Sequence, residues 1–309
     1  MKRTLRTVLL VALLLGRASA EPLVQRLAPD LYAYVSDSDN SCNAVFLVGP
    51  TGILVVDTGF DAREADKLLA GIRRISNLPI RYIVNTHYHP DHQGGNGIVG
   101  PAAVVVSSDW TRDRTVQFVA RDVPMLQQQL QGAELESVRS ARFLPATLTL
   151  GQELTIYLGE HIVEIRAVGH AHTPGDVFVY FPQQRVIAAG DLFLSKSCPD
   201  MEDGDITGWL RALETLLILP VDALVPGHFE VASREQVQRF HDYLADLRQQ
   251  VERLRQAGAS VEQVRRRVRM EKYADFRQYP QYHATFADNA EAVFRQLAEE
   301  EKGLTSGRR

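Results

Sequence analysis

His87-Tyr88-His89-Pro90-Asp91-His92 packs four metal-ligand side chains into six residues. The segment follows the apolar stretch Tyr82–Val84 and runs into Gln93-Gly94-Gly95. Pro90 excludes it from a regular helix interior, because proline removes a donor and clashes with the preceding turn. On an extended chain, residues two apart point the same way, so His87 and His89 can grip one ion. Asp91 and His92 project differently and can serve a second. Neutral imidazole and carboxylate suit zinc, and also iron or manganese.

Three further ligand types sit at the ends of apolar stretches. Gly169-His170-Ala171-His172-Thr173-Pro174-Gly175-Asp176 follows Ile162–Val168, Gly190-Asp191 follows Val186–Ala189, and Gly227-His228 follows Ala223–Pro226. Strand ends that each deliver a ligand describe a site on one rim of a layered sheet structure. Six of the 9 histidines lie in these clusters. The others, His161, His241 and His283, read as surface or packing residues.

The rest of the chain supports that architecture. Ala44–Val48 and Ile53–Val56 flank Gly49-Pro50-Thr51-Gly52, a hairpin signal. Ala65, Leu68, Leu69, Ile72 and Ile75 fall at helical spacing, as do Trp209, Leu213, Leu216 and Leu217. Strands with interspersed helices imply an α/β sandwich. Residues 109–140 are polar and Gln-rich and read as a helical insertion or a mobile flap. After His228, Val237, Phe240, Leu244, Leu247, Val251 and Leu254 step by three or four, an amphipathic helix. Val261–Val268 and Ala290–Leu297 suggest two more. The expected organisation is a leader at 1–20, a catalytic-type domain at 21–235 and a C-terminal helical extension at 236–309.

The 309 residues are 45% hydrophobic and 23% charged, an ordinary globular composition. A net charge of -4 offers no basic excess for nucleic acid. Lys2, Arg3 and Arg6 precede the apolar run Thr7–Gly16, and Ala18-Ser19-Ala20 offers small residues for cleavage. That layout predicts a secretory signal peptide, a periplasmic or secreted protein and no membrane span after cleavage.

Val55-Val56-Asp57-Thr58-Gly59, the His87–His92 run, His172-Thr173, Gly190-Asp191 and Gly227-His228, in that order, resemble the metallo-β-lactamase-fold hydrolases. The resemblance covers about residues 31–230. It implies a four-layer αββα sandwich with two metals, expected to be zinc, in a groove at one sheet edge. By that resemblance His87, His89 and His172 match the first metal's ligands, and Asp91, His92 and His228 the second's. Asp191 matches the carboxylate that bridges both, and Asp57 a residue that supports the metal loop through hydrogen bonds. His170 falls outside the ligand set, since the family's histidine directly precedes threonine. Asp176 orients a ligand histidine or caps a turn.

The implied chemistry is hydrolysis of a small molecule. A zinc pair brings a shared water to near-neutral pKa, and the resulting hydroxide attacks an ester, thioester, lactone or lactam carbonyl. Asp91 would orient that hydroxide and pass a proton to the leaving group. Asp191 follows the thioesterase, lactonase and phosphodiesterase pattern rather than that of classical β-lactamases. Lys196 is a candidate for binding an anionic substrate group. The competing readings are an iron-dependent persulfide dioxygenase using His87, His172 and Asp191, a weak β-lactamase, and a non-catalytic metal binder. In the family fold the segments of Cys42 and Cys198 run near the groove, so an exported chain could join them in a disulfide.

Overall fold

The computed structural model describes residues 23–38, 41–280 and 283–306. The expected leader at 1–20 lies outside them. Seven strands form the first sheet: β1 (Leu23–Ala28), β2 (Leu31–Val35), β3 (Ala44–Val48), β4 (Ile53–Val56), β5 (Ile80–Val84), β6 (Val104–Ser108) and β7 (Leu148–Leu150), in that spatial order. The first four pair antiparallel, and β4 to β7 pair parallel. Five strands form the second: β8 (Glu153–Leu158), β9 (His161–Gly169), β10 (Asp176–Phe181), β11 (Val186–Gly190) and β12 (Ala223–Pro226), in the order β12-β11-β10-β9-β8.

Alternation along each strand builds the layers. Val45, Leu47, Leu54 and Val56 point between the sheets, where they meet Val163, Ile165, Val177, Val179 and Phe181. Their neighbours Phe46, Ile53 and Val55 point outward onto Ala65, Leu68 and Ile72 of helix α1 (Ala62–Ile75). Asp61 caps α1 by accepting from Glu64 N at 3.0 Å. Two single turns follow β5, α2 (Pro90–Gln93) and α3 (Asn96–Val99).

Residues 109–140 are helical, as the insertion reading expects: α4 (Asp109–Gln117), a π-helical turn at Phe118–Asp122, α5 (Val123–Gln129) and α6 (Gly132–Ser140). The second sheet's outer face is covered by α7 (Ile206–Ile218), α8 (Arg234–Gln256), α9 (Val261–Arg267) and α10 (Phe286–Ser306). Phe178 and Ile187 of that sheet, Trp209 and Leu213 of α7, Phe240, Tyr243 and Leu244 of α8, and Val293 of α10 form one continuous buried cluster. Each such buried side chain contributes about 1.5–3 kcal/mol. Phe240→Ala should therefore cost roughly 3–5 kcal/mol. The helices after Arg234 thus share a core with the sandwich. The fold is the αββα arrangement with helices added on one side.

Candidate metal centre

The ligand run sits where β5 leaves the sheet. Thr86, His87 and Tyr88 form a bend, and His89 has φ -59° and ψ 142°. Pro90 then opens α2, a position whose missing N–H costs nothing. This change of direction brings the His92 ring back to within 4.1 Å of the His87 ring, while Asp91 turns toward His228. Gly94 and Gly95 let the loop lie flat on its neighbours: a Cβ at Gly94 would come 1.8 Å from Phe60 O, and one at Gly95 2.2 Å from Thr58 O.

The second sheet brings the remaining candidates to the same rim. His172 follows β9, Asp191 follows β11 and His228 follows β12. His87, His89, His172 and Asp191 each present one ligand atom within 4.8 Å of the others, and Asp91, His92 and His228 do the same. Asp191 lies between the two groups. Its Oδ2 is 3.6 Å from His172 Nε2 and 3.6 Å from His228 Nε2, and its Oδ1 is 3.3 Å from His92 Nε2. Asp91 Oδ2 faces His92 Nε2 at 3.4 Å and His228 Nε2 at 3.2 Å.

These residues fit metal ions. His87 Nε2, His92 Nε2 and Asp191 Oδ1 are buried and have no hydrogen-bond partner. An unsatisfied buried polar atom costs about 1–3 kcal/mol, and coordination would remove that cost. His89 Nδ1 and His172 Nε2 face each other at 3.1 Å, as two nitrogens directed at one ion do. Nitrogen and carboxylate donors in tight clusters suit zinc or iron.

The far sides of three imidazoles are held by hydrogen-bonding groups. His92 Nδ1 lies 2.9 Å from Asp57 Oδ2, the same oxygen that accepts from Thr86 Oγ1 at 2.7 Å, while Oδ1 accepts from Thr86 N at 2.9 Å. Asp57 thus ties the segment just after β5 to His92. Thr86 Oγ1 lies 3.1 Å from His87 Nδ1. Behind His89, Asp203 Oδ2 lies 3.5 Å from Nε2.

Electrostatics divides the ligand imidazoles: His87 and His172 are lowered, while His89, against its burial and chiefly through Asp203, is raised together with His92 and His228. Burial pushes His87 well below the ordinary histidine range, and burial with neighbouring His89 takes His172 to about 3. Both stay neutral and able to coordinate. Burial would lower His228 as well, but Asp191 and Asp91 outweigh it and raise it to about 10. His92 is raised in the same manner, against its burial, by Cys42, Asp91 and Asp191. Asp91, although buried, is lowered to about 2 by His92 and His228.

The other candidates fall elsewhere. His170 is exposed, and its Nε2 lies 2.7 Å from the Asp203 carbonyl oxygen. Asp176 accepts from Thr173 N at 2.8 Å and Thr173 Oγ1 at 2.5 Å, so it caps the turn behind His172. Lys196 stands on an exposed turn with φ 48°, its carbonyl accepting from Arg277 N at 2.8 Å and its charge acting on Asp275. The structure gives it no hydrogen bond to the cluster. The disulfide expectation is corrected: Cys42 and Cys198 are both free and buried. Cys42 sits behind the metal loop beside Asp57 and His92. Cys198 lies in the helical cluster outside the second sheet, 3.8 Å from Tyr243 Oη.

Several residues at the rim carried no sequence signal. Tyr88 donates to Asp203 Oδ2, and its ring meets Trp110 at 5.4 Å and the Arg114 guanidinium at 4.9 Å. Thr115 Oγ1 donates to Gln93 Oε1 at 2.8 Å. Ser108 Oγ and Thr111 Oγ1 donate to Gly175 O at 2.6 and 3.0 Å. The start of the helical insertion therefore clamps both the His87–His92 loop and the His172 turn.

Residues 37–228 match the sequence profile of the metallo-beta-lactamase superfamily. The chain belongs to that superfamily. Among curated superfamily relatives, a linear primary-alkylsulfatase of a Pseudomonas species is 23% identical over 263 residues, covering 72% of this chain and 48% of that protein. A metallo-beta-lactamase type 2 of Bacillus cereus is 23% identical over 206 residues, covering 65% of this chain and 72% of the relative. Among solved structures, the sec-alkylsulfatase Pisa1 from Pseudomonas sp. superposes with a TM-score of 0.70 at 20% identity, over 89% of this chain and 50% of that one. The chain spans about half the length of the alkylsulfatases it matches. Superfamily membership and the His/Asp cluster make it a relative of metal-dependent hydrolases.

Proposed function

We propose that this chain is an exported zinc hydrolase with two adjacent metal positions. His87, His89, His172 and Asp191 form the first; Asp91, His92, His228 and Asp191 form the second. The observation that carries this reading is the placement of Asp191, one carboxylate facing ligand nitrogens of both groups. A bound zinc pair supplies Lewis acidity at the scissile bond and an acidified water. The chain's own contribution centres on Asp91. Its side chain keeps 25% of its exposure while that of Asp191 keeps 10%, so Asp91 is the cluster carboxylate more open to substrate. Held by His92 and His228, it stays ionised, orients the attacking water through Oδ and moves a proton to the leaving group. Asp57 holds His92.

The proposed substrate is an ester, thioester, lactone or lactam. The alkylsulfatase relatives add alkyl sulfate esters, since the Pisa1 superposition extends to 89% of the chain, beyond the 37–228 match. Export rests on the leader-type residues 1–20; a mature chain beginning at Glu21 in the periplasmic fraction or medium supports it, and retention of Met1 refutes it. The deciding experiment is metal analysis of protein purified without added metal, then a panel of these substrates at matched metal content. Two zincs with hydrolysis support the reading, whereas one iron with oxygen uptake overturns it. Asp91→Asn should cut kcat far more than it changes KM. Unchanged kcat with full metal content would remove the role given to Asp91.

A further inference from the structure

The two ligand groups share a detail outside the ligand sets. In the second, one oxygen of Asp57 takes both a hydroxyl, Thr86 Oγ1, and a ligand imidazole, His92 Nδ1. In the first, one oxygen of Asp203 accepts from a hydroxyl, Tyr88 Oη, and lies 3.5 Å from a ligand imidazole nitrogen, His89 Nε2. The opposite nitrogen of His89, Nδ1, is the one that faces His172 Nε2. His89 is thus spanned between the ligand cluster and a carboxylate.

The loop carrying Asp203 is fastened to the other half of the same group. His170 Nε2 lies 2.7 Å from the Asp203 carbonyl oxygen, and Asp205 N donates to Ala171 O at 2.8 Å. Both partners immediately precede His172. Gly208, at the start of α7, packs so closely that a Cβ there would lie 1.8 Å from His170 O. The carboxylate behind His89 and the turn that delivers His172 therefore form one connected unit.

We propose that Asp203 is the positioning residue of the first metal position. The inference rests on the reading of that position given above. Asp203 fixes the His89 tautomer with hydrogen on Nε2 and leaves Nδ1 free to coordinate, while Tyr88 shares the carboxylate and keeps it aimed. Outer carboxylates of this kind typically change metal affinity roughly 10- to 100-fold when removed. The two positions differ in one respect: the Asp57 side chain is 3% exposed, whereas that of Asp203 is 40% exposed. Asp203 is open to solvent, and an asparagine in its place can present its one oxygen to both Tyr88 Oη and His89 Nε2, which share a single oxygen of the carboxylate.

The test is competition titration of the full chain with zinc and a chromophoric chelator, together with the visible spectrum of the cobalt-loaded protein. Asp203→Ala should weaken one ion roughly 10- to 100-fold and shift the cobalt spectrum, leaving the second ion's affinity and the metal-free Tm at wild-type values. Asp203→Asn should lose less, and Tyr88→Phe should weaken the same ion. Wild-type affinity for both ions in Asp203→Ala overturns the proposal, as does equal weakening of both or a fall in metal-free Tm that accounts for the loss. A wild-type chain that holds a single ion counts against the two-position reading instead, and Asp203→Ala is then judged on that ion alone.

Discussion

Replacing Asp57 with asparagine should disable the second metal position by changing a proton's address. Asp57 Oδ1 accepts from Thr86 N, and Oδ2 accepts from Thr86 Oγ1 and faces His92 Nδ1 at 2.9 Å. In Asp57→Asn the amide oxygen keeps the Thr86 N–H, because an NH2 there would set donor against donor. The NH2 must then take the place of Oδ2 and point at His92 Nδ1. To accept it, His92 must move its proton to Nε2, the buried nitrogen that faces Asp91 and Asp191. A protonated Nε2 cannot coordinate. The native bond involves a charged acceptor, worth about 1.5–3 kcal/mol, so the second ion should weaken roughly 10- to 150-fold. The backbone is not at fault, since φ of 58° at this position suits asparagine as well as aspartate. Asp57→Ala separates the effects. It carries backbone strain of about 1–2 kcal/mol and leaves the Thr86 N–H unpaired at about 1–3 kcal/mol, so it should lose more stability than the asparagine variant. It leaves His92 free to choose its tautomer, so it should lose no more affinity. Zinc competition titrations and thermal melts of both variants decide the matter. The reasoning is refuted if Asp57→Asn holds both ions at wild-type affinity, or if it is less stable than Asp57→Ala.

Asp191→Ala should weaken both ions in the same titration, and loss of only one would show that this carboxylate does not bridge. Gly227→Ala should act similarly without replacing a ligand, because its Cβ would fall 1.7 Å from Asp191 Oδ1 and force that carboxylate to move; unchanged metal content in a folded variant would contradict the packing. Metal affinity of the second position should rise more steeply with pH than that of the first, since His228, raised to about 10, and His92 must both give up protons on loading, whereas in the first only His89 is raised and His172 at about 3 and His87 are already neutral. Equal pH slopes for the two ions between pH 6 and 8 would contradict that division. Both thiols should be silent to a thiol reagent in the folded protein, with burial holding Cys42 at about 11 and Cys198 at about 12, and both should react after denaturation without reductant. A denatured, unreduced protein with no free thiols would restore the disulfide.

The rim was legible in the sequence because its ligands come as dense motifs at the ends of apolar runs. The unbroken apolar runs Ala44–Val48 and Ile53–Val56 likewise announced strands, and both are buried on their two faces. Asp203 was not legible: it stands in the acidic loop Asp200-Met201-Glu202-Asp203-Gly204-Asp205, where nothing distinguishes one carboxylate from another until the chain folds. Tyr88 was hidden between two histidines that drew the interpretation to themselves. The two cysteines misled because distance along a sheet rim says little about layers. One thiol faces the metal loop, and the other lies among the helices outside the second sheet. The last helix reaches from Phe286 to Ser306, well beyond the apolar repeat Ala290–Leu297. Tyr273 and Phe276 join the buried cluster from a segment with no periodicity at all.

Both ligand groups straddle the seam of the sandwich. His87, His89, Asp91 and His92 hang from the first sheet, and His172, Asp191 and His228 from the second. Neither half of the chain can complete either coordination sphere. The ions would therefore act as a clasp, stabilising the closed sandwich by binding the folded chain and not the parted one. Under that arrangement a chelator works as a lever on the fold: it should shorten the native lifetime as well as stop turnover. Two fragments cut in the connection between Ser140 and Leu148 should reassemble more tightly with zinc than without it.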